Sequence, residues 1–266
     1  MNWKKMTVTA LIGLGVVGVL AGCGNDAKPA AGETKLPTKV VVGLDDNFPP
    51  MGFRDEKGEL TGFDIELAKE VSKRTGIQME FKPIDWASKE AELTAKRVDL
   101  LWNGLTITEQ RKEKIAFSEP YMHNDQIIVT LKSRADLKDM DSLAGKIVGT
   151  QEGGTGIDAL AKLPDLKNSF KELRLYAVYT DALMDLEIGR IDAVLVDSVV
   201  GRYYMTKKPD TFYELPKVLA TEEYGVGMRK DSAELKKAID RAIGEIKADG
   251  TGAKISEKWF GKDVMN

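Results

Sequence analysis

The sequence predicts an α/β protein of two similar lobes, each built on a sheet that is parallel in part. Three observations predict it. Apolar runs of strand length alternate with helix-spaced runs in the order β-α-β-α-β between residues 39 and 101, an order that favours parallel pairing. A longer β run over 126–132 follows, and then the alternation begins again. Finally, Leu93-Thr94-Ala95-Lys96-Arg97-Val98-Asp99-Leu100 is echoed by Leu186-Glu187-Ile188-Gly189-Arg190-Ile191-Asp192-Ala193. Each reads as a helix end, an Arg-apolar-Asp turn and the start of a buried strand, as two units of like design require.

The elements follow in order. Lys39 to Leu44 is a β-branched run that ends at Asp45-Asp46-Asn47-Phe48-Pro49-Pro50. Two prolines forbid regular structure there, so Asp45 and Phe48 are expected in a loop at a strand's C-terminal end. Residues 53–61 read as a turn around Asp55-Glu56-Lys57-Gly58. Phe63, Ile65, Leu67, Ala68 and Val71 fall near helical spacing, and Gly76 stops that helix. A strand over 77–84 delivers Asp85-Trp86 to a loop, and a helix over 88–95 leads to an apolar strand, Val98 to Leu101. That strand empties into Trp102-Asn103-Gly104-Leu105-Thr106-Ile107-Thr108-Glu109-Gln110-Arg111, with Thr108 as the N-cap of a helix and Glu109 in its first turn.

After the run over 126–132, a strand at 146–149 ends in Thr150-Gln151-Glu152-Gly153-Gly154-Thr155-Gly156, which opens onto a helix. A strand at 173–178, a helix at 180–189 and a strand at 191–196 ending at Asp197-Ser198 follow. The tail offers a strand over 222–228 with Gly225 and Gly227, an amphipathic helix over 232–248, and a short helix over 255–260. Met122, Met140, Met184 and Met205 read as core filler. The strands are too few for two complete domains unless the tail rejoins the first lobe.

Composition bounds the function. The 266 residues suit one large domain or two small ones, and 30% charged with 42% hydrophobic residues suits a globular chain. Lys4 and Lys5 precede an apolar run from Met6 to Leu20, too short for a comfortable membrane span and right for a secretory leader. Leu20-Ala21-Gly22-Cys23 follows and resembles a bacterial lipobox, which implies removal of residues 1–22 and lipidation of Cys23, the only cysteine in the chain. The exported fold then has no disulfide to rely on. Losing the leader removes Lys4 and Lys5 and no acid, leaving 37 basic against 42 acidic residues and a net charge of −5. That balance argues against nucleic acid and against polybasic docking on membranes. From Gly24 to Thr38 the chain is polar and aperiodic, so 23–37 reads as a lipidated tether.

Asp45, Phe48, Trp86, Gly104, Thr106, Arg111, Gly154, Thr155 and Asp197 each lie at or just past the C-terminal end of a predicted strand, the edge where open α/β sheets bind ligands. A forked guanidinium, a threonine and free N–H groups near a helix start suit a small carboxylate. Phe48 and Trp86 are either packing residues or the two sides of a sandwich around a ligand. Gly153-Gly154-Thr155-Gly156 is an anion nest without a Walker lysine, which argues against nucleotides. Asp197 either caps the following helix or pairs with an ammonium group. The lone histidine, His123, has no partner for a triad, and no His/Cys cluster offers a soft metal site. No catalytic group, metal or other cofactor is expected.

Taken together, Gly62-Phe63-Asp64, Arg97-Val98-Asp99, Gly104-Leu105-Thr106-Ile107-Thr108 with Arg111, Phe117-Ser118-Glu119-Pro120-Tyr121, Gly153-Gly154-Thr155-Gly156 and Gly189-Arg190-Ile191-Asp192-Ala193 carry a family likeness. From about Val40 onward the chain resembles the polar amino-acid solute-binding proteins of bacterial ABC importers. The resemblance implies a two-lobe clamp of the type II periplasmic-binding-protein kind, with mostly parallel sheets flanked by helices and two crossover strands as hinge. Lobe 1 would comprise 38–125 plus 221–266, and lobe 2 would comprise 126–220. Arg111 would fork onto the ligand's α-carboxylate with the N–H groups of Thr106 and Thr155, while Asp197 and the Gly104 carbonyl would hold the α-ammonium. Phe48 and Trp86 would flank the side chain, with Asp45 near its tip. Asn103 and Gln151, with Glu152, depart from the common pattern at the side-chain end, so that glutamine or a basic amino acid is the expected ligand. The implied partners are an ABC permease and, through the lipid, a membrane, with the protein extracytoplasmic and monomeric. The fold also resembles cyclohexadienyl dehydratases, which would make the chain an enzyme.

Overall fold

The computed structural model describes residues 36–265; the expected leader, Cys23 and the expected tether up to residue 35 lie outside the described residues. Among the described residues the strands form three sheets. The first has the spatial order Gln78–Pro83, Lys39–Leu44, Leu100–Leu101, Gly227–Met228, Ala116–Phe117. Its first three strands are parallel, and Gly227–Met228 runs antiparallel to both of its neighbours, Leu100–Leu101 and Ala116–Phe117. The second has the order Glu172–Tyr176, Ile147–Gln151, Ala193–Asp197, Met122–Leu131, Phe212–Glu214, and Ala220–Tyr224 pairs with the other half of Met122–Leu131. Here too the βαβ strands are parallel, and the long strand runs against them.

Met122–Leu131 and Ala220–Tyr224 link the two halves and pair antiparallel with each other, from Met122 opposite Tyr224 to Gln126 opposite Ala220. The expected run over 222–228 is therefore two strands. Gly225 separates Ala220–Tyr224, in the second sheet, from Gly227–Met228, in the first. Through that second piece the tail returns to the first sheet, which resolves the shortage of strands in the sequence.

Helices cover the sheets where their apolar faces demand it. Phe63–Thr75 buries Phe63, Ile65, Leu67, Ala68 and Val71, and Gly76 closes it in a left-handed conformation, its N–H donating to the Ser72 carbonyl. The tail helix Ala233–Ala248 buries Leu235, Ala238, Ile239, Ala242, Ile243 and Ile246 and packs against it. Three expectations change. Asn47–Phe48 is a short strand rather than a loop, because the backbone around the two prolines pairs with Gly52–Arg54. Residues 53–61 form a hairpin, Gly52–Arg54 with Leu60–Thr61. Met184 is 56% exposed and fills no core.

The internal echo is repeated in atomic detail. Asp99 takes the Val41 N–H on Oδ2 at 2.9 Å, and Asp192 takes the Ile147 N–H on Oδ2 at 2.8 Å. Each aspartate's own N–H donates at 2.8 Å to the carbonyl of that same partner. Each also meets an arginine, Arg229 for Asp99 and Arg134 for Asp192, both donating. Even the turn before them matches, with Lys96 at φ 58° where the other copy has Gly189 at φ 76°. A left-handed backbone costs an L-residue about 1–2 kcal/mol. Gly189→Lys, whose added Cβ meets nothing within 4 Å, should therefore lower unfolding stability by about 1 kcal/mol. Lys96→Gly should raise it by up to about 1 kcal/mol, both read by chemical denaturation.

Candidate functional site

The loops that leave the two parallel sheets meet, and the polar groups they carry interlock. On the first side, Gly104 has φ 58°, and a Cβ there would lie 2.9 Å from Phe48 Cε1, so only glycine fits. Its N–H donates at 2.7 Å to Asp64 Oδ2, which also accepts from Tyr121 Oη at 3.0 Å. Burial pushes the Asp64 carboxyl up to about 7 against these two bonds. The turn thus anchored leads to Thr108, whose Oγ1 accepts the Arg111 N–H and caps Glu109–Lys112 as expected. The cap turns the Arg111 side chain back over the loop. Nη1 donates to the Thr106 carbonyl at 2.8 Å, Nη2 to the Gly153 carbonyl on the second side at 3.1 Å, and Nε lies 3.4 Å from Glu90.

The same Gly153 carbonyl accepts from Lys89 Nζ at 2.8 Å. Lys89 is buried, also bonds the Trp86 carbonyl at 3.1 Å, and stands 5.1 Å over the Trp86 ring. Burial, and then the Arg111 charge, lower its ammonium to about 8. Gly153 sits so close to the first side that a Cβ would fall 2.8 Å from Ala87 Cα. Beside this contact a cavity of about 300 Å³ is lined by Lys89, Glu90, Arg111, Gly153, Gly154 and Asp158 among others.

Deeper in, Thr106 Oγ1 and Thr155 Oγ1 are 3.3 Å apart across the two sides. Gln126 Nε2, on the long linking strand, reaches Thr155 Oγ1 at 3.2 Å and Asp197 Oδ1 at 3.1 Å. Asp197 ends the strand Ala193–Asp197 and precedes the helix Ser198–Lys207, yet its side chain makes no capping bond to that helix. Its Oδ1 instead accepts from Asn124 at 2.6 Å and Tyr224 Oη at 2.7 Å besides Gln126. Burial, and then the neighbouring Glu222 carboxylate, push Asp197 up to about 6. At the other end, Asp45 Oδ2 accepts from Gln151 Nε2 at 2.7 Å, and burial raises that carboxyl to about 6 as well.

The expected residues thus fall into two sets. Asp45, Phe48, Gly104, Thr106, Arg111, Gln151, Gly154, Thr155 and Asp197 surround the junction, with the Phe48 ring 5.8 Å from Tyr179 and a Cβ on Gly154 3.4 Å from the Tyr179 hydroxyl. Asn103 and Trp86 stand beside it with partners of their own. Asn103 Nδ2 donates to the Asp45 carbonyl at 2.7 Å, which fixes the Asp45 loop, and the Trp86 ring packs in an apolar cluster with Leu93, Val98 and Leu105. Glu152 is exposed. The sequence reading missed Lys89, Asn124, Gln126, Tyr224 and Glu222. Asn124 and Gln126 had a signal: two amides at alternate positions on one face of a β run, and that face is buried. Among the described residues there is no cluster of three or more metal-ligating side chains. None of their helices is long and apolar enough to cross a membrane.

Residues 40–262 match the family described as bacterial extracellular solute-binding proteins, family 3. The chain belongs to this family. It is similar to an L-cystine-binding protein of Escherichia coli K12, 35% identical over 257 residues that cover 94% of this chain and 95% of the relative. The lysine/arginine/ornithine-binding periplasmic protein of the same strain is 33% identical, over 88% of this chain and 92% of its own. Among solved structures, an ABC uptake transporter substrate-binding protein of Streptococcus pneumoniae with bound histidine superposes with a TM-score of 0.83 and 40% identity, covering 86% of this chain and 95% of that one. The two-lobe type II architecture follows, with the junction just described as its interlobe cleft. These relatives are binding proteins by name, and this solute-binding protein is one with them, not a dehydratase.

Proposed function

We propose that this solute-binding protein captures a polar L-amino acid outside the cytoplasm and delivers it to an ABC permease. The observation that carries this reading is one unbroken line of polar contacts across the cleft, from Arg111 through Thr106, Thr155 and Gln126 to Asp197. A cation stands at one end and a buried carboxylate with only neutral donors at the other, the polarity that a zwitterion needs. Arg111, with the N–H groups of Thr106 and Thr155, would take the α-carboxylate, and Asp197 with the Gly104 carbonyl would take the α-ammonium. The ligand's side chain would extend past Phe48 toward Asp45 and Gln151. Asn103 spends its Nδ2 on the Asp45 loop, and its Oδ1 is buried without a partner. The charged group at that end is the Asp45 carboxylate, whose oxygens accept from the Asn47 N–H and Gln151 Nε2, and it favours a basic side chain over the amide of glutamine. The relatives that bind lysine, arginine, ornithine or histidine support the same choice, and the cystine binder marks its main competitor.

The remaining assignments belong to the same reading. Lobe 1 is 38–125 plus 221–266 and lobe 2 is 126–220; every strand of the first sheet falls in lobe 1, and the linking strands Met122–Leu131 and Ala220–Tyr224 cross the boundary. Residues 1–22 are a leader and Cys23 carries the lipid that tethers a monomer through 23–37.

Arg111→Ala should weaken binding at least about a hundredfold by isothermal calorimetry, because the ligand carboxylate is left buried without its cation; undiminished affinity removes Arg111 from the site. Affinity should also fall with acid. Asp197 must be ionised to meet an ammonium, so binding expels its proton below the raised value of about 6. The dissociation constant should be flat above pH 7 and rise by up to about tenfold per pH unit below 6, and Asp197→Asn should abolish that slope for a ligand with a neutral side chain. Cys23→Ser should move the expressed protein from the membrane fraction to the soluble fraction, and continued attachment overturns the lipidation.

A further inference from the structure

Glu222 lies on the short linking strand Ala220–Tyr224, where strand alternation sends Glu223 outward beside His123 and Glu222 inward to the cleft. Its Oε2 accepts from Thr106 Oγ1 at 2.9 Å and Thr155 Oγ1 at 3.0 Å, one hydroxyl from each lobe. Gln126 Nε2 donates to it at 3.2 Å and Asn124 Nδ2 at 3.4 Å. These are the same two amide nitrogens that donate to Asp197 Oδ1. Two carboxylates are therefore held side by side by shared donors, in the part of the cleft assigned to the ligand's nitrogen.

We propose that Glu222 is a second carboxylate of the ammonium seat, so that the ligand's α-ammonium is held between Asp197 and Glu222. This inference rests on the amino-acid reading above and extends it to a residue that reading does not use. Like charges brought this close repel and call for a cation between them. The donors to the pair are neutral amides and hydroxyls: Asn124, Gln126, Thr106, Thr155 and Tyr224, with the Tyr179 hydroxyl also beside Asp197. Each carboxylate spends one oxygen on them, Oδ1 of Asp197 and Oε2 of Glu222. None of these bonds ends on Asp197 Oδ2 or Glu222 Oε1. With the Gly104 carbonyl these two oxygens make three acceptors, the number an –NH₃⁺ group requires. Gly104 lies next to the ring that holds Asp197: a Cβ on it would be 3.3 Å from Tyr224, whose hydroxyl donates to Asp197. A divalent metal is a poorer fit, because no third ligating side chain joins the two among the described residues.

The test is calorimetric titration of wild-type and Glu222→Gln protein with L-arginine, L-histidine, L-glutamine and L-cystine. The tightest of these is then compared with its analogue bearing hydrogen in place of the α-ammonium. Glu222→Gln should weaken the amino acid about tenfold or more and change the deaminated analogue less than twofold. Glu222→Ser serves as a second variant with the same expected split, and unchanged thermal unfolding midpoints show that the fold is kept. Equal loss for amino acid and analogue, or affinity equal to or above wild type, overturns the proposal and leaves the amino-acid reading standing. Wild-type protein that binds none of the four overturns both.

Discussion

A buried carboxylate with three neutral donors and no cation is the constraint around which this protein is arranged. Asp197 lies under a tyrosine and two amides that stabilise its charge only in part, and burial, with the Glu222 charge beside it, raises its affinity for protons. A fold with no need of a ligand would fill that position with an apolar side chain at lower cost. Here the unmet charge sits opposite Arg111, which spends two of its donors on backbone carbonyls and meets Glu90 only at 3.4 Å. The difference between the two ends of the cleft is what recognises a zwitterion. The glycines, the cap at Thr108 and the buried Asp64 hold those ends in register.

Closure uses a backbone acceptor besides the side chains of Asp45 and Glu222. The Gly153 carbonyl takes both Lys89 and Arg111, so the second lobe meets the first through a carbonyl on a left-handed turn that approaches within a side chain's width of Ala87. Such a contact depends on geometry more than on charge. It breaks as a unit when the lobes part, as hinge motion about the two linking strands requires. A ligand that supplies its own carboxylate to Arg111 adds a further link across the same gap.

Much of this was legible in the residues. Strand ends could be read from β-branched runs stopped by Gly, Pro or Asp, and that placed Asp45, Gly104, Thr106, Arg111, Thr155 and Asp197 on one edge before any coordinates. The echo of Arg97-Val98-Asp99 in Arg190-Ile191-Asp192 was legible because both aspartates do the same work, taking the N–H of a neighbouring strand. Three things were not legible. Lys89 has the composition of a surface helix position, and only the approach of Gly153 buries it. Glu222 stands in a run of two glutamates, and nothing local says which of the two faces inward. Asn103 looked like a ligand contact, whereas tertiary packing turns it onto the Asp45 carbonyl. In each case the deciding partner is at least 58 residues away in sequence.

The measurement that bears most directly on the central claim is a thermal-shift series of the purified protein against the twenty amino acids, cystine, ornithine, and the cyclohexadienyl acids prephenate and arogenate. A ligand at about a thousand times its dissociation constant adds about 4 kcal/mol, which for a chain of this size raises the midpoint by roughly 10 °C. The account predicts such a rise for one or a few polar amino acids, basic ones first, with no product formed. Silence from every amino acid, or turnover of a cyclohexadienyl acid, would contradict it.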